Sequence, residues 1–155
     1  MDQIESGKFL HGFKFVLLTT QVLLLVVTLG NAKYHVYQEL GQELSTNDPL
    51  YQEESKQFVG LVVTWMCFCG FEYLMMLLGT SIPHMFAQWV LIQVLLHLLG
   101  CVFLVWFILD SWAASFIVRL FIGYSVLPLI AEFVIIGHAF KFNYDLGRNN
   151  PTQQA

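Results

Sequence analysis

Of the 155 residues, 57% are hydrophobic and only 12% are charged, with a mean hydropathy of +0.64 and a formal net charge of -4. That balance is too apolar for an ordinary soluble domain, and seven basic residues scattered along the chain exclude a nucleic-acid binder. It points instead to a polytopic membrane protein.

A helix needs about 20 mainly apolar residues to cross roughly 30 Å of hydrocarbon. After a short tail, residues 1–14, the first such run extends from Phe15 to Ala32. Gly30-Asn31-Ala32 has the small residues of a signal-peptidase site, but the run is longer than the ~7 to 15 residues of a signal core, so the first helix is expected to be retained. An outer loop follows over residues 33–57, where Tyr37, Leu40 and Leu44 recur at helical spacing among Gln38, Glu39, Gln42 and Glu43. This spacing predicts an amphipathic extension lying on the membrane. The loop is acidic, with Glu39, Glu43, Asp48, Glu53 and Glu54, and Asp48-Pro49 predicts a helix start, Asp48 as N-cap and Pro49 at the first helical position. The remaining helices are expected over residues 58–78, 89–109 and 116–140, joined by tight connections and followed by a second short tail, 141–155. Continuous Leu-rich runs favour helices, since an open sheet cannot satisfy its backbone in lipid, and short connections favour antiparallel neighbours.

The expected fold is therefore all-α: one polytopic domain over residues 1–155, a four-transmembrane-helix bundle with antiparallel up-down topology. Both termini then share a side, with Lys8, Lys14, Lys141 and Arg148 against Lys33, Lys56 and Arg119 on the other, a bias toward cytoplasmic termini. Arg119 near a helix end can snorkel, and Trp65, Trp89, Trp106 and Trp112 are expected toward helix ends, where aromatic belts form. Cys67, Cys69 and Cys101 all fall in helices and read as small packing residues; Gly60, Gly70, Gly100 and Gly123 permit close helix contact.

The polar residues inside the apolar runs carry the remaining information. Counted from the cytoplasmic helix ends, Gln21, Glu72, His97 and Glu132 each lie six to eight residues in, roughly 9 to 12 Å of rise, and Gln93 shares the face of His97 one turn away. Groups so costly to expose to lipid are expected to turn inward and pair. Two carboxyls beside one histidine could serve as a proton relay or ion site, or could bond the helices together. Pro128, one turn before Glu132, is expected to kink the fourth helix and aim that carboxyl inward. No phosphate loop, nucleophile elbow or metal-ligand spacing occurs, and His97 and His138 sit at different depths, so neither catalysis nor a metal or other cofactor is expected.

The order of these landmarks resembles the transmembrane protein 107 family. It runs from Glu72 through Gly79-x-Ser81, His97 and Phe107-x-x-Asp110-x-Trp112 to Ser125-x-Leu127-Pro128 with Glu132 four residues on. The resemblance spans roughly Phe15 to Phe140 and is densest from Gly70 onward; the first helix, the outer loop and the tails match only in character. It implies a structural, non-enzymatic protein of the ciliary transition zone. Such a protein would contact membrane lipids, tectonic-like proteins and other subunits of the Meckel-syndrome module, with no nucleic acid or small-molecule substrate. The reading from the residues alone that competes with it is a small proton-coupled transporter using Glu72, His97 and Glu132.

Overall fold

The computed structural model describes residues 3–41, 45–77 and 87–149. Helix α1 (Gln3–Gly30) is followed across a turn at Asn31 by the short α2 (Ala32–Leu40), which ends at Gly41 with φ 63°, a left-handed stop that glycine adopts without strain. Then come α3 (Pro49–Leu77), α4 (Ala87–Leu109) and α5 (Ser115–Phe121), which runs through a π turn (Ile122–Val126) into α6 (Leu127–Asn149). No strand occurs among the described residues. Four helical stretches are long and apolar enough to cross a membrane: Phe9–Gly30, Pro49–Leu77, Trp89–Leu109 and Ser115–His138. The molecule is an all-α, multi-pass membrane protein.

The bundle closes because each helix buries one stripe at alternating spacings of four and three residues. On α1 the stripe is Lys14, Leu18, Gln21, Leu25 and Thr28; on α3, Phe58, Val62, Trp65, Cys69 and Glu72; on α4, Gln93, His97, Gly100, Leu104 and Phe107. That spacing keeps one narrow seam facing the neighbours and suits near-parallel helix crossing. The last helix carries Ile117 and Leu120, then Ser125, Pro128 and Glu132; the π turn inserts one extra residue into the stripe between Leu120 and Ser125. The outward faces of the helices are apolar, as lipid contact requires: Leu23, Val63, Leu91, Val102, Ile122 and Ile130 are all exposed.

The interior divides into two halves. Toward the α2 end it is apolar, built around Leu25, Val36, Phe58, Val62, Trp65, Leu104, Phe107 and Ile117. The other half holds the polar groups.

Several sequence expectations shift. The first span begins at Phe9 and not Phe15, because α1 is helical from Gln3, so Lys14 lies within the span instead of flanking it. The loop extension is realised as α2; Leu44 lies outside the described residues, as do Gly79, Ser81 and the connection between α3 and α4. Asp48 does cap α3, its Oδ1 accepting from Leu50 N–H at 2.9 Å. Trp65 is fully buried, sixteen residues into α3, and joins no aromatic belt. Cys67 is exposed on the lipid-facing side, while Cys69 and Cys101 are buried. Of the four small residues, only Gly100 is held by a close approach: a Cβ there would meet Tyr124 Cβ at 2.9 Å, whereas Gly60, Gly70 and Gly123 have open space.

Candidate functional site

At the end of the bundle away from α2, six polar side chains from α1, α3, α4 and α6 meet out of contact with solvent and lipid: Lys14, Gln21, Glu72, Gln93, His97 and Glu132. The sequence places four of them at a common depth, with Gln93 one turn away on the face of His97, and puts Lys14 in the tail. The stripe gives the missed signal, since Lys14 stands seven residues before Gln21 and therefore on the same face of α1.

The residues form two linked sets. In the first, Gln21 Oε1 lies 2.8 Å from His97 Nδ1, and His97 Nε2 lies 2.9 Å from Glu72 Oε2. In the second, Gln93 Nε2 donates to Glu132 Oε2 at 2.7 Å, and Lys14 Nζ donates to Gln93 Oε1 at 2.9 Å and to Glu132 Oε2 at 3.0 Å. Lys14 joins the two sets, its Nζ standing 3.4 Å from Glu72 Oε2. Within the cluster Glu72 faces the histidine and Glu132 faces the lysine and Gln93, with Lys14 standing between the two acids.

The hydrogen-bond roles fix the charge. Gln21 Nε2 donates to the Tyr124 carbonyl at 3.3 Å, which leaves Oε1, an acceptor only, facing His97. His97 Nδ1 must then carry hydrogen, so one further proton resides in the contact between Nε2 and Glu72, on the ring or on the carboxyl. With the Lys14 ammonium, that proton balances two carboxylates, and the cluster is neutral as a whole. Neutrality is what a low-dielectric interior demands of a buried ionic group.

Pro128 supplies the acceptor for this arrangement. It has no N–H, so the Tyr124 carbonyl four residues back lacks its helical donor, and Gln21 takes that place. Gln93 Nε2 also reaches the Pro128 carbonyl at 3.3 Å. The irregularity expected at Pro128 is therefore the π turn just before it, and its two flanking carbonyls are bonded by side chains of α1 and α4. A second α1 to α3 link, missed in the sequence, joins the hydroxyls of Thr19 and Tyr73, with Thr19 also donating to the Phe15 carbonyl at 2.9 Å.

The Trp112 landmark sits at the α2 end. Trp112 offers its carbonyl to His35 Nδ1 at 2.8 Å, and the His35 ring is stacked against Phe107 and Phe58 at centroid distances of 4.2 and 5.7 Å. His35 is 1% exposed, its Nε2 has no hydrogen-bond partner among the described residues, and burial pushes its imidazole below the ordinary value of 6.5, against a smaller opposing effect of the Trp112 carbonyl. Next to Trp112, Ser111 has φ 48° and turns the chain sharply from α4 to α5. Asp110 is exposed, and nothing in the structure explains its presence. Ser125 is buried, its hydroxyl without a hydrogen-bond partner among the described residues. Arg119 is exposed, with its guanidinium over the Phe116 ring at 5.1 Å. Among the described residues, no group of three or more His, Cys, Asp or Glu converges as a metal site would require.

A model of a transmembrane protein family, TMEM107, matches residues 10–136, from the start of the first span to the last turns of the fourth. No curated protein and no solved structure matches the chain. The match covers all four spans and every member of the buried cluster, and the chain belongs to the TMEM107 transmembrane protein family.

Proposed function

We propose that this protein is a structural and interaction subunit of the ciliary transition zone, contributing to the diffusion barrier that controls which membrane proteins enter the cilium and to cilium assembly. The observation that carries the structural half of this reading is the closure of the polar cluster. Its six side chains bond to one another and to the carbonyls of Tyr124 and Pro128, and they tie all four spans together. Such a network fixes how helices pack and leaves its members engaged with each other. The resemblance to transmembrane protein 107 relatives supports the location. Contacts with tectonic-like and other Meckel-module subunits would be made by α2, the exposed helix faces and the acidic loop.

The test images the tagged protein against basal-body and axoneme markers in ciliated cells lacking the native copy. A ring between the two markers, and leakage of membrane proteins into the cilium on deletion, is expected. A Glu72→Leu, Glu132→Leu variant is expected to lose the ring, while Glu72→Gln retains it. A uniform signal in another membrane sinks the transition-zone reading. PH-dependent flux in proteoliposomes, abolished by Glu72→Gln, would put proton-coupled transport in its place.

A further inference from the structure

A groove of about 310 Å³ opens between α2, α3 and α5, remote from the polar cluster. On α3 its wall is a single stripe, Glu54, Gln57, Phe58 and Leu61, at spacings of three, one and three residues. The stripe runs from a carboxylate at the loop end to an apolar side chain roughly 10 Å deeper. The facing wall on α5 follows the same order, with Ser115 at the helix start and then Ile117 and Val118. Glu39 of α2 closes the rim, its Oε2 accepting from the Ser115 N–H at 2.9 Å. Glu54, half-buried, makes no hydrogen bond or ion pair with any described residue.

We infer that this groove binds the ammonium headgroup of a zwitterionic membrane phospholipid, with Glu39 and Glu54 facing the cation, Phe58 beneath it, and the acyl chains descending past Leu61 and Val118. The polar-to-apolar gradient along both walls matches an amphiphile entering from the membrane surface, since α5 begins where the fourth span begins. The Glu39 and Glu54 carboxylates at the rim supply the negative charge that an ammonium group pairs with, while Phe58, 3% exposed and stacked on His35, forms the apolar floor. The oxygens of Glu39, Glu54, Gln57 and Ser115 all lie toward one end of the groove above an apolar floor, whereas a divalent cation is enclosed by oxygens on every side. At 310 Å³ the space lies at the small end of ligand pockets, the size of a headgroup and not of a folded partner's loop.

The experiment uses the full chain, purified in detergent, delipidated, and exposed to equal mixtures of phosphatidylcholine, phosphatidylethanolamine and phosphatidylglycerol, with retained lipid counted by native mass spectrometry. Retention of the two ammonium lipids over phosphatidylglycerol is expected. Glu54→Gln should reduce that preference roughly fivefold, the equivalent of one partly exposed ion pair. Val118→Trp, which fills the groove from a lipid-exposed position and leaves both carboxylates, should abolish it; this variant decides the matter if Glu54→Gln fails to fold. Equal retention of phosphatidylglycerol by the wild-type chain, or an ammonium preference that survives Val118→Trp, overturns the inference. Buried Glu72→Gln, which does not line the groove, should keep the preference, and its loss there would equally overturn the assignment.

Discussion

Lys14 shows how much one side chain can decide. It is 2% exposed and contacts Gln93, Glu132 and Glu72, so its removal leaves the cluster with one uncompensated negative charge. Lys14→Met is expected to cost about 3 to 5 kcal/mol, the usual penalty for breaking a buried ionic pair. Adding Glu132→Leu restores neutrality and should recover most of the loss, measured as thermal midpoints in detergent. Deeper destabilisation in the double variant would show that the charge balance is wrongly drawn. His35 makes a different prediction. Its folded-state value is lowered by burial, so the unfolded chain takes up a proton first. Stability is full above the unfolded value near 6.5 and declines as pH falls below it through the folded value. His35→Phe should flatten that decline in an unfolding series from pH 7.5 to 5; an unchanged slope would place the dependence elsewhere. Most of the polar residues were visible in the sequence because charge within an apolar run is conspicuous. Lys14 was not, because a lysine near a helix end is ordinarily a topological charge, and only the four-and-three stripe distinguishes a buried one.

Among the elements, the fourth span carries the most information per residue. Its π turn and Pro128 together free the Tyr124 carbonyl, and Gln21 bonds it across the bundle. Pro128→Ala returns an N–H that competes for that carbonyl, so Gln21→Leu should cost less in the Pro128→Ala background than alone. A double-mutant cycle with no coupling would rule out this link. At the same crossing, Gly100→Ala drives a Cβ against Tyr124 Cβ and is expected to cost about 1 to 3 kcal/mol, with Gly60→Ala, in open space, close to neutral. Spans, loop helix and the Asp48 cap were legible because hydrocarbon thickness and capping chemistry act locally. The π turn was not legible, since its extra residue shows only when the buried stripe is traced across Leu120 to Ser125. Trp65 misled for a related reason: in a membrane helix an aromatic can serve the headgroup belt or the core, and the choice depends on which neighbours enclose it.

For the whole molecule, the separation into a polar half and an apolar half predicts selective chemistry at the cysteines. Of the three, Cys67 alone faces outward, so a membrane-permeant maleimide should label one site in the native protein and three after denaturation. Native labelling of Cys69 or Cys101 would mean that the bundle opens at the level of the cluster. The same architecture constrains biosynthesis. Lys14 lies in the first of the four spans, and its partner Glu132 lies 118 residues later, in the fourth. At ~5 to 20 residues per second, the lysine waits roughly ten seconds for its carboxylate. During that interval only Glu72, which the finished bundle holds 3.4 Å from the lysine, is available to it, and any product truncated before the fourth span lacks the Glu132 carboxylate. The cluster that locks the bundle is therefore complete only once the fourth span is in place.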